Sequence, residues 1–318
     1  MKILITGASG VIGQSLIEML SDYSSSIDAT FYKNKPKIIS RKNINFIEYK
    51  KLIDENYKEK YDQIWHFATY GQPAKFMESW RDIIKLNVDD LNYLVNLLRE
   101  DGHFFYASSS EIYGDKKSDE YTIPSSNPLS KRAIYTESKR LGEAFLNTSL
   151  NKKATFFRIC LAYSPNFTIG DNRVIYELIV KGLKNKSIDL LDEGASERQY
   201  IFIKDAIEMM ENIAFKESEY NFCKNGVWNI SNPNHISILE LAKIIGFYLQ
   251  KEVKLGKKNS NPLHALSKVD ITPKRYSDTF GNYKFTEINY GIQKVIESAK
   301  KQLKIFGKRI SDHRVAKI

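Results

Sequence analysis

The sequence predicts an α/β protein: a doubly wound parallel sheet with a smaller C-terminal α/β lobe. Three observations lead there. Short apolar runs alternate with segments of helical period up to Tyr163, a glycine-rich turn joins the first such run to the first helix, and the alternation breaks after Tyr163. Strands are expected at residues 2–6, 27–32, 45–47, 63–67, 104–107, 154–159 and 227–230, and helices at 11–20, 81–99 and 134–150. Strands separated by helices cannot form hairpins, so the sheet is parallel and covered on both faces. Beyond Tyr163 the expected elements are a helix near 174–183, a strand near 187–191, a helix at 238–248 and a last helix near 288–303. The chain thus divides into 1–162 for the sheet domain, completed by about 200–233, with 163–199 and 234–318 forming the smaller lobe.

Composition narrows the function classes. The 318 residues are 42% hydrophobic and 12% aromatic, enough for a sizeable core. Cys160 and Cys223 lack metal-ligand spacing and are too few for a disulfide framework, which implies a reducing compartment. No apolar run approaches the roughly 20 residues that span a bilayer, and the chain opens at once on a strand, so a cytoplasmic location without a membrane partner is expected. The formal charge of +10 comes from scattered Lys and Arg, denser only over residues 300–317. With no nucleic-acid recognition motif beside them, these charges suit a solvated surface and an anionic small substrate.

The first strand runs into Gly7-Ala-Ser9-Gly10-Val11-Ile12-Gly13. A glycine-rich turn there lets backbone N–H groups and the positive end of the helix face a pyrophosphate, which predicts dinucleotide binding. An acid that would bind the ribose hydroxyls of NAD should close the second strand, yet this one ends Phe31-Tyr32-Lys33-Asn34-Lys35. Lys33 in that place favours the 2′-phosphate of NADP over NAD.

Behind the run His103-Phe-Phe-Tyr-Ala107 stands Ser108-Ser109-Ser110-Glu111-Ile-Tyr-Gly114, three hydroxyls and a carboxylate where a buried strand ends. Tyr135 and Lys139 form a Tyr-x-x-x-Lys pair, a spacing that Tyr113/Lys117, Tyr200/Lys204, Tyr220/Lys224 and Tyr290/Lys294 share. Only Tyr135 and Lys139 follow the fifth strand on a helical segment, one turn apart on one face. An ammonium and a positive nicotinamide beside that phenol favour its phenolate, and a strand-end hydroxyl steadies charge on the reacting oxygen.

With these features the sequence resembles an extended short-chain dehydrogenase/reductase of the nucleotide-sugar epimerase/dehydratase family, in its UDP-glucuronate decarboxylase-like branch. The matching stretches are GASGVIG, WHFAT (Trp65 to Thr69), Asn87-Val88, SSSEIYGD, YTESKRLGE, DNRV (Asp171 to Val174), RQYIFIKD (Arg198 to Asp205) and WNISNPNHISILELA. The resemblance implies a Rossmann-type sheet holding NAD(P) on Gly7, Ser9, Gly10, Val11, Ile12, Gly13, Lys33, Phe67, Ala68, Thr69, Asn87, Tyr135 and Lys139. It implies Ser109 as the catalytic hydroxyl, Tyr135 as the base for a sugar 4-hydroxyl, and Lys139 on the nicotinamide ribose. Ser110 and Glu111 occupy the next two catalytic positions. Tyr70, Ser109, Ser110, Arg173 and Arg198 would hold the substrate, with Arg198 on its pyrophosphate. Departures are Leu161 where many relatives carry a substrate-contacting Asn, and Lys50 and Lys51 where an acid often touches adenine.

The implied activity is C4 oxidation of a nucleotide-activated sugar, by an epimerase, a 4,6-dehydratase or a decarboxylase, for surface polysaccharide or glycan precursors. An NADPH-dependent 4-keto-sugar reductase is the second reading. A non-catalytic NAD(P)-binding sensor is the third, and it fits least because Tyr135 and Lys139 are both kept. The family also implies a homodimer built on 81–99 and 134–150.

Overall fold

The computed structural model describes residues 1–36, 41–54, 57–71, 78–151, 153–257 and 269–315, with side chains as far as residue 304. The elements run β1 (Lys2–Thr6), α1 (Val11–Leu20), β2 (Ser26–Phe31), β3 (Ile44–Glu48), α2 (Tyr49–Leu52) and β4 (Tyr61–His66). Next come α3 (Trp80–Ile84), a π-helical turn (Lys85–Asp89), α4 (Asp90–Asn96), β5 (Leu98–Ser109), a 3₁₀ turn (Ser110–Tyr113), β6 (Lys117–Ser118), α5 (Ala133–Ser149) and β7 (Ala154–Ile159). The rest comprises β8 (Leu161–Tyr163), α6 (Val174–Lys184), β9 (Ser187–Asp189), β10 (Glu197–Phe202), α7 (Ile203–Phe215), α8 (Glu217–Tyr220), β11 (Gly226–Ile230), β12 (His235–Ser237), α9 (Ile238–Leu249), β13 (Glu252–Lys254), β14 (Asp270–Ile271), α10 (Lys274–Phe280) and α11 (Ile288–Val315).

Seven strands pair in the order β11-β7-β5-β4-β1-β2-β3, all parallel. Alternation along the strands sorts the core into two layers. Ile3, Ile5, Trp65, Phe105 and Phe157 pack toward α1 and α7, whereas Leu4, Ile64, Phe104 and Tyr106 pack toward α4 and α5. This explains why the strands read as continuous apolar runs: both faces are buried. β2 and β4 flank β1, so the sheet order reverses beside it, and the crevice beyond the carboxyl ends of β1 and β4 is where such sheets bind ligands.

Four boundaries differ from expectation for identifiable reasons. The helix expected over 81–99 is interrupted at Lys85–Asp89, where buried His66 donates from Nε2 to the Leu86 carbonyl at 2.7 Å, and it ends at Asn96. Leu98 belongs to the sheet, where it pairs with Tyr61, and Leu97 O at the helix C-cap accepts from Tyr61 N–H. The strand expected at 187–191 stops at Asp189, and the last helix continues to Val315 rather than 303. Of residues 200–233, only Gly226–Ile230 adds a strand to the main sheet. Glu197–Phe202 instead joins β8 and β12 in a separate three-stranded sheet, and the helix after it, which the periodicity did not single out, packs Met209, Met210 and Ile213 beneath α1. The C-terminal elements have their own core of Ile175, Ile179, Leu241, Ile245, Ile292 and Val295.

Candidate active site

The turn after β1 is a cradle built from backbone. Gly7 has φ +73°, and a Cβ there would lie 2.5 Å from Phe67 O; at Gly13 a Cβ would lie 2.2 Å from Gly7 O. These contacts require glycine and press β1, the start of α1 and the end of β4 together. Gly10 N–H donates back to Gly7 O, and α1 starts with no side-chain cap and no acid in its first turn. Its leading N–H groups and positive end thus face the crevice, the arrangement that receives a pyrophosphate. Thr69 Oγ1, at the same crevice, is buried without a hydrogen-bond partner among the described residues. A dinucleotide cofactor fits this cradle. Ser9, Gly10, Val11, Ile12, Phe67, Thr69 and Tyr70 all line one cavity of about 460 Å³ with Gly7 and Gly13.

The other wall comes from β5 and α5. Tyr135 and Lys139, one turn apart on α5, are both buried, and so are Ser108, Ser109 and Ser110 at the end of β5. Ser109 hydrogen-bonds the Tyr135 phenol and accepts from Glu111 N–H at 3.2 Å. Lys139 Nζ donates to Ala107 O at 2.6 Å and lies 4.6 Å from the Tyr106 ring centre. Ser108 Oγ donates to Glu143 Oε1 at 2.5 Å. The three serines therefore have separate duties: Ser108 anchors the strand end, Ser109 meets the tyrosine, and Ser110 opens the 3₁₀ turn at the cavity wall.

The electrostatics revise one expectation. The Tyr135 phenol is pushed up to about 12, first by burial and then by the negative charge of Glu111, with the Ser109 bond acting the other way. Lys139 is brought down to about 7 by burial, with Glu143 opposing. With its phenol held that high, Tyr135 is a protonated phenol rather than a phenolate in the protein alone, and Lys139 Nζ hydrogen-bonds Ala107 O.

Glu111 also has a partner that sequence reasoning did not supply. Arg132, at the N-cap of α5, donates from Nε to Glu111 Oε2 at 2.7 Å and from Nη2 to Oε1. The two-pronged guanidinium arises because the 3₁₀ turn folds back onto the start of α5. Arg198 also lines the cavity; its Nη1 donates to Glu197 O, and no carboxylate pairs with it among the described residues. Its guanidinium lies within the field of Arg132 and Glu111.

Tyr135, Ser109, Ser110, Glu111, Arg173, Arg198 and the cradle residues thus line one cavity, whereas Asn87, Ala68, Lys139 and Lys33 do not. Asn87 is fully buried and donates from Nδ2 to Ser138 Oγ, joining the π turn to α5. Ala68 N–H donates to Thr6 Oγ1 and Lys139 Nζ to the carbonyl of Ala107, and neither residue lines the cavity. Lys33 is exposed past the end of β2, its Nζ 5.7 Å from the Tyr32 ring, and is not a cavity wall residue. Arg173 lines the cavity, but its guanidinium is held by Asp171 at 2.7 Å and by Ala162 O at 3.0 Å. Leu161, at the position where many relatives carry a substrate-contacting Asn, lines the cavity, and Ile159, Cys160 and Ala162, which the motifs did not mark, extend the same wall. Burial pushes the Cys160 thiol up to about 12, so it is no nucleophile there.

The NAD dependent epimerase/dehydratase family model matches residues 3–230. UDP-glucuronic acid decarboxylase 4 of Arabidopsis thaliana is 27% identical over 266 residues, covering 80% of this chain and 59% of that protein. The chain thus spans little more than half the length of that relative. UDP-glucuronic acid 4-epimerase from Bacillus cereus, solved with NAD and UDP-4-deoxy-4-fluoro-glucuronic acid, superposes with a TM-score of 0.79 at 19% identity, covering 95% of this chain and 100% of that one. UDP-glucose 4-epimerase from Thermotoga maritima, solved with UDP-glucose, gives 0.77 at 17% identity over 95% and 100%. At these identities the structural likeness is one of fold. The chain belongs to the NAD dependent epimerase/dehydratase family.

Proposed function

We propose that this family member is an enzyme that oxidises a nucleotide-activated sugar at C4 with NAD(P) and then acts on C5 or C6 of the keto sugar, in the manner of the decarboxylases it resembles. The observation that carries the reading is the convergence of Ser109, Tyr135, Glu111 and Arg198 on the cavity that adjoins the glycine cradle. Bound in that cradle, NAD(P) supplies the hydride acceptor and a positive ring near the phenol. With that positive ring and Lys139 beside it the Tyr135 phenol would lose its proton to solvent, and the phenolate oxygen then accepts the proton of the sugar 4-hydroxyl while Ser109 donates a hydrogen bond to the oxygen becoming a carbonyl. Arg198, a guanidinium with no carboxylate of its own among the described residues, suits a substrate pyrophosphate.

Glu111 bears on the step after oxidation. A dehydratase needs a base for the C5 proton, whereas both oxygens of Glu111 are engaged by Arg132. Loss of CO₂ from C6 of a 4-keto uronate requires no such base, because the electrons of the breaking C5–C6 bond pass to the ketone. That favours decarboxylation over dehydration. Reduction of a 4-keto sugar by NADPH is the second reading, favoured by the same tied Glu111 and by Lys33 past the second strand, which also supports a preference for NADP. The reading includes residues 163–199 and 234–318 as the nucleotide-sugar lobe, since Arg173 and Arg198 line the cavity from there. It also includes a cytoplasmic homodimer, with Trp80 and Leu141 exposed on the helices that would pair, and a place in polysaccharide precursor synthesis.

Thermal-shift screening of the NAD- and NADP-loaded protein against UDP-, GDP-, CDP- and dTDP-sugars, UDP-glucuronate included, tests this. A true ligand at 100 times its Kd adds about 2.7 kcal/mol. The stabilising sugar nucleotide should transiently raise the absorbance of reduced nicotinamide and, for a uronate, release CO₂. If no sugar nucleotide does both, the reading fails.

A further inference from the structure

Helix α5 presents Tyr135, Lys139 and Glu143 at four-residue spacing, on one face and one turn apart. All three grip the same strand end: Tyr135 meets Ser109, Lys139 Nζ donates to Ala107 O, and Glu143 accepts from Ser108 Oγ. Glu143 is itself fastened from the far side. Arg158 of β7 donates to its two oxygens at 2.9 and 2.6 Å, and Arg158 Nη1 continues to the Tyr113 hydroxyl at 2.8 Å, which donates to Asn229 Oδ1. The Glu143 and Arg158 side chains are 12% and 6% exposed.

We propose that Glu143 is a positioning residue for the C4 chemistry: it is the counter-ion that keeps the buried Lys139 ammonium charged and seated on Ala107 O beside Tyr135. The catalytic consequence rests on the reading of Tyr135 and Lys139 given above; the coupling itself does not. Lys139 is 1% exposed, and a buried ammonium sheds its proton unless negative charge is near. The groups facing it are Tyr135 and Glu143 from its own helix, Tyr106 from β5 and His66 from β4. Burial, together with Lys139 itself, holds His66 down near 3 and therefore neutral at physiological pH, and burial keeps the Tyr106 phenol protonated. That leaves Glu143 as the carboxylate that works against burial at Lys139. Arg158 fixes where that charge sits.

The test is an NMR titration of the full-length protein labelled with ¹³C-lysine, with and without NAD and without any sugar, the Lys139 signal being assigned through Lys139→Arg. Glu143→Gln keeps an acceptor for Ser108 and deletes the charge; the Lys139 midpoint should fall by about one pH unit or more, a roughly tenfold loss of proton affinity. Ser108→Ala, which breaks the hydrogen bond and spares the charge, should leave the midpoint in place. Because Glu143→Gln strands a buried guanidinium, the double variant Glu143→Gln/Arg158→Gln provides a second, neutral pair; since it also removes the Arg158 cation, a smaller fall in the same direction is expected. An unchanged midpoint in either folded variant, or an equal fall in Ser108→Ala, overturns the proposal. Neither result touches the assignment of the reaction, which is read from sugar nucleotides that this titration omits.

Discussion

Replacing two glycines of one turn by alanine should separate folding from cofactor binding. A Cβ at Gly13 would sit 2.2 Å from Gly7 O and 2.8 Å from Ala8 Cα, both backbone, so the start of α1 must move by about 1 Å to reach ordinary contact. Overpacking of that kind costs about 1–3 kcal/mol and lowers Tm by a few degrees. At Gly10 a Cβ would meet only Gly7 O, at 3.2 Å, and φ is −72°, which alanine adopts without strain. Gly10→Ala should therefore leave Tm within about a degree of the parent, the cost being about 0.5 kcal/mol or less. Its methyl nevertheless stands at the cavity wall where the pyrophosphate approaches, so the Kd for NAD should rise at least roughly tenfold, equivalent to about 1.4 kcal/mol. Thermal unfolding and calorimetric titration with NAD, run on both variants, give the two readings. Gly10→Ala with an unchanged Kd would show that the phosphates do not lie on this turn, and Gly13→Ala with parental stability would show that the packing argument is wrong.

Three other substitutions address the chemistry. Tyr135→Phe removes one phenol oxygen and the bond to Ser109; it should leave cofactor and sugar nucleotide bound while turnover falls by roughly 10²–10⁴-fold, and an active purified variant refutes the assignment. Glu111→Gln should still allow transient cofactor reduction; in a dehydratase it would block exchange of the C5 hydrogen with solvent deuterium. Full turnover with normal deuterium incorporation would leave Glu111 as the structural mate of Arg132. Lys33→Asp should turn preference from NADP toward NAD, measured as the ratio of the two dissociation constants; a native protein that already binds NAD more tightly contradicts the inference from the missing acid.

What could be read in the sequence and what could not divide along a physical line. Strands such as Lys2–Thr6 and Ala154–Ile159 were legible to the residue because burial on both faces leaves a dense apolar run between turn signals. The cradle and the Tyr135/Lys139 pair were legible because their chemistry fixes local spacing: three glycines in one turn, two side chains on one helical face. Contacts between segments leave no spacing to read. The pairing of Glu111 with Arg132 spans 21 residues and that of Glu143 with Arg158 spans 15, and their carboxylates serve one strand end. The second pair leaves one trace, a charge where an apolar residue is expected: Arg158 in the run Ala154-Thr-Phe-Phe-Arg-Ile159, which is buried throughout. A buried charge needs a partner, so that anomaly announces an ion pair without naming its mate. The interruption of the helix at Lys85–Asp89 is of the same kind, since it depends on His66, some 20 residues earlier, reaching Leu86 O. The direction in which Lys139 points was hidden for this reason too. Its spacing from Tyr135 places the two side chains on one face, but the carbonyl it grips belongs to β5, and only the packing of Gly142 against Tyr106 and Asn87, where a Cβ would lie 2.4 and 2.7 Å away, brings α5 close enough for that grip. The residues proposed for the reaction can be named from local motifs, while the protonation states they start from are set largely by burial and by side chains on other elements.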